Sequence, residues 1–303
     1  MESKEKMKVL KKFLKTNDVE EIDINDSFGF KCQQCGKCCI NRDDIILNPF
    51  DVYNAAKYLG ISVMEFIDKY TYITLGRQSK IPMLLLQPLN NGFCPLLKFD
   101  IKDGGKFKCM IHSAKPGACA NHPIGVSYCF NKNIGESEVN YIKVKQCSNS
   151  VSDEMHTVKE WIQPYLDHQK EIDIAHKIQH LSTDYFNPRK FWTVVQILNG
   201  IVDFKKDLIS TEKDIELPND FLSITDSLLN KYTTLSIEKG YAQYDINKPF
   251  IEQAEDNIKD LNDFYAETKN LYDFLVETFK IITKKDFEEE FEQKLLKEEQ
   301  EEE

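Results

Sequence analysis

Four cysteines, Cys32, Cys35, Cys38 and Cys39, fall within eight residues of the stretch FKCQQCGKCCI (Phe30–Ile40). With four of the nine cysteines in so short a segment, their chemistry is the first thing to explain. The compartment decides which chemistry. The N-terminal stretch MESKEKMKVLKKFLK is charged throughout and has no apolar run of the kind a secretory signal needs. The longest uncharged run, Ile81–Leu97, contains Pro82, Pro88 and Pro95 and cannot form a spanning helix. The expectation is a cytoplasmic chain with no membrane association. There thiols stay reduced, and clustered cysteines read as metal ligands rather than disulfides.

Cys32 and Cys35 have the form of a metal knuckle. Two thiolates three residues apart can face one ion around a tight turn whose N–H groups offset their charge. Gly36 suits the positive φ that such a turn requires. Lys31 and Lys37 add positive charge that favours the thiolate. Cys38 and Cys39 are adjacent, and neighbouring side chains diverge in a strand or a helix. The expectation is therefore that one closes a first site and the other feeds a second, or that a polynuclear centre takes ligands from two sides. Cys94, Cys109, Cys119 and Cys147 bring the number to eight, enough for two four-thiolate sites. Cys129 remains, inside the apolar run VSYCF, and reads as a small buried hydrophobe. Ligand type does not choose between zinc and an iron–sulfur cluster. His112 and His122 lie in the same region; each reads first as a structural or surface histidine and second as a ligand or proton donor. His176 and His180 are spaced i, i+4 on an expected helix but lack the Glu of a zinc-protease motif, so an ordinary helix face is expected.

Charge and cysteine content both change near residue 150. Residues 1–150 carry 21 Lys+Arg against 16 Asp+Glu, and residues 151–303 carry 18 against 34. No cysteine follows Cys147. We therefore expect a cysteine-cluster metal-binding domain over 1–150 and a helical domain with an acidic tail over 151–303. The net charge of −11 argues against nucleic acid as a partner. The acidic half would suit a basic protein partner or substrate.

The expected fold class is α+β, a small cysteine-rich domain followed by an all-α bundle. Residues 4–15 have helical spacing. Asn48 and Pro49 start a helix that stops at Gly60, and Ser62 with Glu65 starts another. Short apolar runs at 81–86, 106–111, 125–130 and 139–145 read as strands, with Asp103–Gly105 as a turn. Helices are expected over roughly 152–180, over 188–199 with Gly200 as a stop, and over 218–232. From Ile251 to Ile282 apolar residues step by three and four without a break, the seam of one long bundle helix. The tail KKDFEEEFEQKLLKEEQEEE reads as a solvated helix end.

Taken together, CQQCGKCC after Phe30, the segment IILNPFDVYNAAKYLGISVMEFIDKY, CPLL from Cys94 and CMIHSAKPGACANHP from Cys109 resemble the CxxCxxCC cysteine-cluster family, described as a zinc- or iron-chelating domain. The resemblance covers about residues 28–147. Relatives usually have Tyr where His112 stands, Arg at Lys115 and Ala120, and Phe at His122. The resemblance implies a metal centre, and members are often labelled iron–sulfur oxidoreductases. A related group is similar to the flagellin lysine-N-methylase, which implies protein methylation as a group-transfer activity. No G-x-G-x-x-G after a strand and no C-x-x-x-C-x-x-C is present. Three functions follow: an iron–sulfur protein with redox or group-transfer activity, a zinc-stapled protein-interaction module without catalysis, and a metal store. In the first, Cys38, Cys39 and Cys119 are the candidates for a reactive side.

Overall fold

The computed structural model describes residues 19–101, 105–131, 136–144, 152–208, 221–283 and 285–301. The helix expected over 4–15 and Cys147 lie outside them. The chain divides into two compact units. The first comprises the chain to Tyr72 with Leu85–Ile172, and the second comprises Ile73–Leu84 with Asp173–Glu303. Small antiparallel sheets characterise the first and helices the second, an α+β fold.

In chain order the first part contains β1 (Val19–Ile22), β2 (Ser27–Gly29), β3 (Ile46–Leu47), α1 (Pro49–Leu59) and α2 (Val63–Tyr70). A hairpin, β4 (Thr71–Leu75) and β5 (Pro82–Leu86), follows, with its residues Ile73–Leu84 counted in the second unit, then the pair β6 (Leu97–Asp100) and β7 (Lys106–Cys109). The short α3 (Gly117–Ala120) leads into β8 (Ile124–Asn131), β9 (Glu136–Val144), β10 (Met155–Thr157) and α4 (Val158–Leu166). Strand β9 lies between β1 and β8, and β10 pairs with β2.

Local chemistry explains the helix starts. Asn48 accepts from the Asp51 N–H at 2.8 Å, and Asp51 accepts from the Asn48 N–H at 3.2 Å. With Pro49 in the first turn this is a reciprocal cap on α1. Gly60 ends α1 at φ 68°, the left-handed conformation in which glycine has no Cβ penalty. Ser62 caps α2 by accepting from the Glu65 N–H. Val52, Ala55 and Ala56 of α1 and Val63 and Phe66 of α2 are buried. A second core joins Phe28 and Phe30 to Ile124, Val158 and Ile162, with Trp161 and Tyr141 packed at its edge.

That second core explains where the units divide. The charge break near 150 suggests a boundary there, but β10 and α4 belong to the first unit, and the division falls at Ile172/Asp173. Net charge describes a surface; Val158 and Ile162 are tied by burial to Phe28 and Phe30.

The second unit contains most of α5 (Gln169–His180), then α6 (Pro188–Leu208), α7 (Phe221–Ile237), α8 (Phe250–Thr283) and α9 (Phe287–Glu301). Ala254, Leu261, Tyr265, Thr268, Leu275 and Phe279 are buried along α8, as its seam predicts. Two expectations are corrected. Gly200 does not stop a helix, because α6 runs on to Leu208; one glycine costs a helix interior only about 1 kcal/mol. The acidic tail is not wholly solvated either. Phe287 and Phe291 are buried, and Phe287 meets Phe279 edge-on at 5.4 Å. Among the described residues no helix is long and apolar enough to cross a membrane.

Candidate metal centre

Backbone hydrogen bonds bring the cysteines together before any side chain is considered. Phe30 is fixed in the core, and its N–H donates to the Glu154 carbonyl. The chain then turns with Gln34 at φ 52° and Gly36 at φ 74°. Gly36 is needed twice: for that φ, and because a Cβ there would lie 3.0 Å from the Phe107 ring. Lys37–Cys39 forms one 3-10 turn. The Phe107 N–H donates to the Gln34 carbonyl, which holds β7 against the cysteine loop.

Cys94 is attached directly to the cluster, since its N–H donates to the Cys39 carbonyl at 2.8 Å. Cys109 sits opposite Leu97 in the β6–β7 register, and the Leu97 N–H donates to the Cys94 carbonyl. Cys119 rides on α3. The Gly117 N–H donates to Oδ1 of Asp51 at 3.2 Å, so the cap of α1 also anchors the Cys119 turn. A side chain at Gly117 would run into Tyr165, 2.5 Å away. The Tyr165 hydroxyl in turn meets both Asn48 and Asp51.

The result is one cavity of about 660 Å³ lined by Cys32, Cys35, Cys38, Cys39, Cys94, Cys109 and Cys119. Seven of the eight expected ligands thus share one space, and Cys147 falls outside the described residues. The side chain of Cys129 falls outside what the structure describes. Among the described residues no group of three or more His, Cys, Asp or Glu side chains already meets the geometry of a metal site.

The adjacent pair overturns one sequence argument. Cys38 Sγ and Cys39 Sγ are 3.8 Å apart. Adjacent Cα atoms are themselves about 3.8 Å apart, so the two side chains lean the same way instead of diverging. With metal–sulfur bonds of about 2.3 Å, a tetrahedral edge is also about 3.8 Å. The adjacent cysteines therefore do not by themselves demand two centres.

Electrostatics divides the thiols. Cys38 is brought down to about 6, first by the hydrogen bond with Cys39 and then by the cations Lys115 and Arg42. Cys39 is pushed far up by the same hydrogen bond and by burial. Burial raises Cys94 and Cys109, and pushes Cys119 up to about 12 with help from the charge of Cys94. These shifts favour the thiolate at Cys38 and the neutral thiol at its four neighbours. Several thiolates can occupy so confined a space only around a cation, and soft sulfur donors suit zinc or iron. The donor set fits such a metal.

Other side chains entered the site unannounced by the cysteine pattern. Arg42, Asp51, His156, Trp161, Tyr165 and His168 line the same cavity. The Asn48–Pro49–x–Asp51 cap was readable, but the second task of Asp51, at Gly117, joins residues 66 apart in sequence. His112 and His122 also line the cavity, whereas His176 and His180 do not.

Comparison with known proteins points to metal chelation in the same part of the chain. Residues 31–148 match the family model CxxCxxCC, described as "Putative zinc- or iron-chelating domain". The match covers under half of the chain, and it begins and ends around the expected ligands. Neither the curated proteins nor the solved structures include a match.

Proposed function

We propose that Cys32, Cys35, Cys38, Cys39, Cys94, Cys109 and Cys119, with Cys147, hold iron as an iron–sulfur centre, and that the chain performs redox or group-transfer chemistry beside it. One observation carries this reading: cysteines from separate segments line a cavity that, at about 660 Å³, is larger than metal ligation alone requires. That volume falls in the range of small-molecule sites. Bound there, an iron–sulfur group supplies one-electron chemistry. The chain supplies the surroundings. Phe50, Trp161 and Tyr165 give apolar walls that exclude water, and Arg42 and Lys115 favour anionic sulfur. Cys38, Cys39 and Cys119 form the reactive side. Protein methylation is the specific group transfer that the family resemblance supports, and the acidic surplus after residue 150 supports a basic protein segment as partner.

The zinc-stapled module has less support. A staple replaces a missing core, but Phe28, Phe30, Ile124, Val158 and Ile162 form one without sulfur. Oxygen-free purification of the full chain, followed by absorption and paramagnetic resonance spectra, tests the proposal. A broad charge-transfer band near about 400 nm and a reducible paramagnetic signal are expected. A colourless protein holding zinc would contradict it.

A further inference from the structure

The turn after Cys119 carries two buried polar atoms without partners, Asn121 Oδ1 and His122 Nε2. Both residues line the cysteine cavity, and Asn121 is only 7% exposed. A buried polar atom left unpaired costs about 1–3 kcal/mol, so two in succession on one cavity wall call for an occupant that satisfies them. We propose that His122 Nε2 is a metal ligand, giving the cysteine-held centre one imidazole donor. This rests on the metal-binding reading above and goes beyond it by adding a nitrogen to an all-sulfur set.

Four histidines line the cavity, and their surroundings separate them. His156 Nε2 already lies 3.0 Å from the Phe30 carbonyl. The His168 ring packs on Phe50 with centroids 5.3 Å apart. His112 is exposed. His122 alone of the four has a buried ring nitrogen with no partner. Its backbone is fixed, because Trp161 Nε1 donates to the carbonyls of Asn121 and His122 at 3.0 and 3.2 Å. Its ring stands edge-on to Phe30, with centroids 6.2 Å apart. Burial and the cations Arg42 and Lys115 keep the imidazole neutral, the form that binds metal. His122 stands where the resemblance leads one to expect Phe, so the donor belongs to this chain's own departure from the pattern. A neutral nitrogen ligand, unlike a thiolate, adds no negative charge to the centre.

Cobalt(II) loaded into the full-length chain provides the test, because it reports sulfur and imidazole ligation separately. Sulfur-to-cobalt charge-transfer absorption is expected, together with a strongly shifted, solvent-exchangeable imidazole N–H proton resonance. That resonance should vanish in His122→Phe and persist in His112→Phe. Charge transfer without any such resonance in the unmodified chain would overturn the inference and leave the thiolate site standing, whatever the folding of the variants. A resonance that survives His122→Phe would overturn it too, by assigning the signal to another histidine. Absence of cobalt binding would overturn both readings.

Discussion

Cys38 and Cys39 are neighbours in sequence and opposites in acidity. The hydrogen bond between their sulfurs favours the thiolate at Cys38 and the thiol at Cys39. Lys115 and Arg42 add to the first effect. In metal-free protein near neutral pH, iodoacetamide should label Cys38 before Cys39, Cys94, Cys109 and Cys119. Because the reacting form is the deprotonated one, the rate should fall about tenfold per pH unit once pH drops below about 6. Peptide mass spectrometry of timed samples reads both effects, and preferential labelling of Cys39 would contradict the assignment. A sequence reader sees that Cys38 and Cys39 touch along the chain. The direction in which the side chains lean is set by the turn after Gly36 and by its contact with Phe107, a residue about 70 positions away.

At the scale of elements, Asp51 links α1 to α3. Its oxygens accept from the Asn48 and Gly117 N–H groups, while burial pushes its carboxyl up to about 7. The folded value lies above the ordinary 3.8, so the fold binds this proton more tightly than the unfolded chain does. The contribution to stability is complete below about pH 4 and is lost as pH rises through about 7, on the order of 4 kcal/mol. Asp51→Asn should flatten that slope. It should also lower stability by about 1–3 kcal/mol, since an amide NH₂ would face the Asn48 N–H. Urea unfolding of both proteins at about pH 5 and pH 8 measures this, and an unchanged slope would remove Asp51 as the source. The helix starts at Asn48 and Ser62 and the seam of α8 were legible, because caps and periodicity are local. The extension of α6 past Gly200 was not, since one glycine costs a helix interior only about 1 kcal/mol and need not end it.

For the whole molecule, the change of composition and the division into units fall at different places along the chain. Cysteine content and charge shift near 150, whereas the core that closes the first unit includes Val158 and Ile162. No pattern in residues 155–166 announces a tie to Phe28, because the partners are more than a hundred positions apart. The cysteines that line the cavity were legible as a set, and the rest of its wall was not. Since both cores of the first unit are built from carbon, a chelator should remove metal while leaving most of the far-ultraviolet circular dichroism in place; collapse of that signal would favour the zinc-stapled reading. The most direct test of the account is X-ray absorption at the metal edge of the full chain purified without oxygen. It predicts a first shell dominated by sulfur at about 2.3 Å that weakens when Cys38 and Cys119 are replaced by serine. A shell of oxygen and nitrogen alone, or no bound metal, would contradict it.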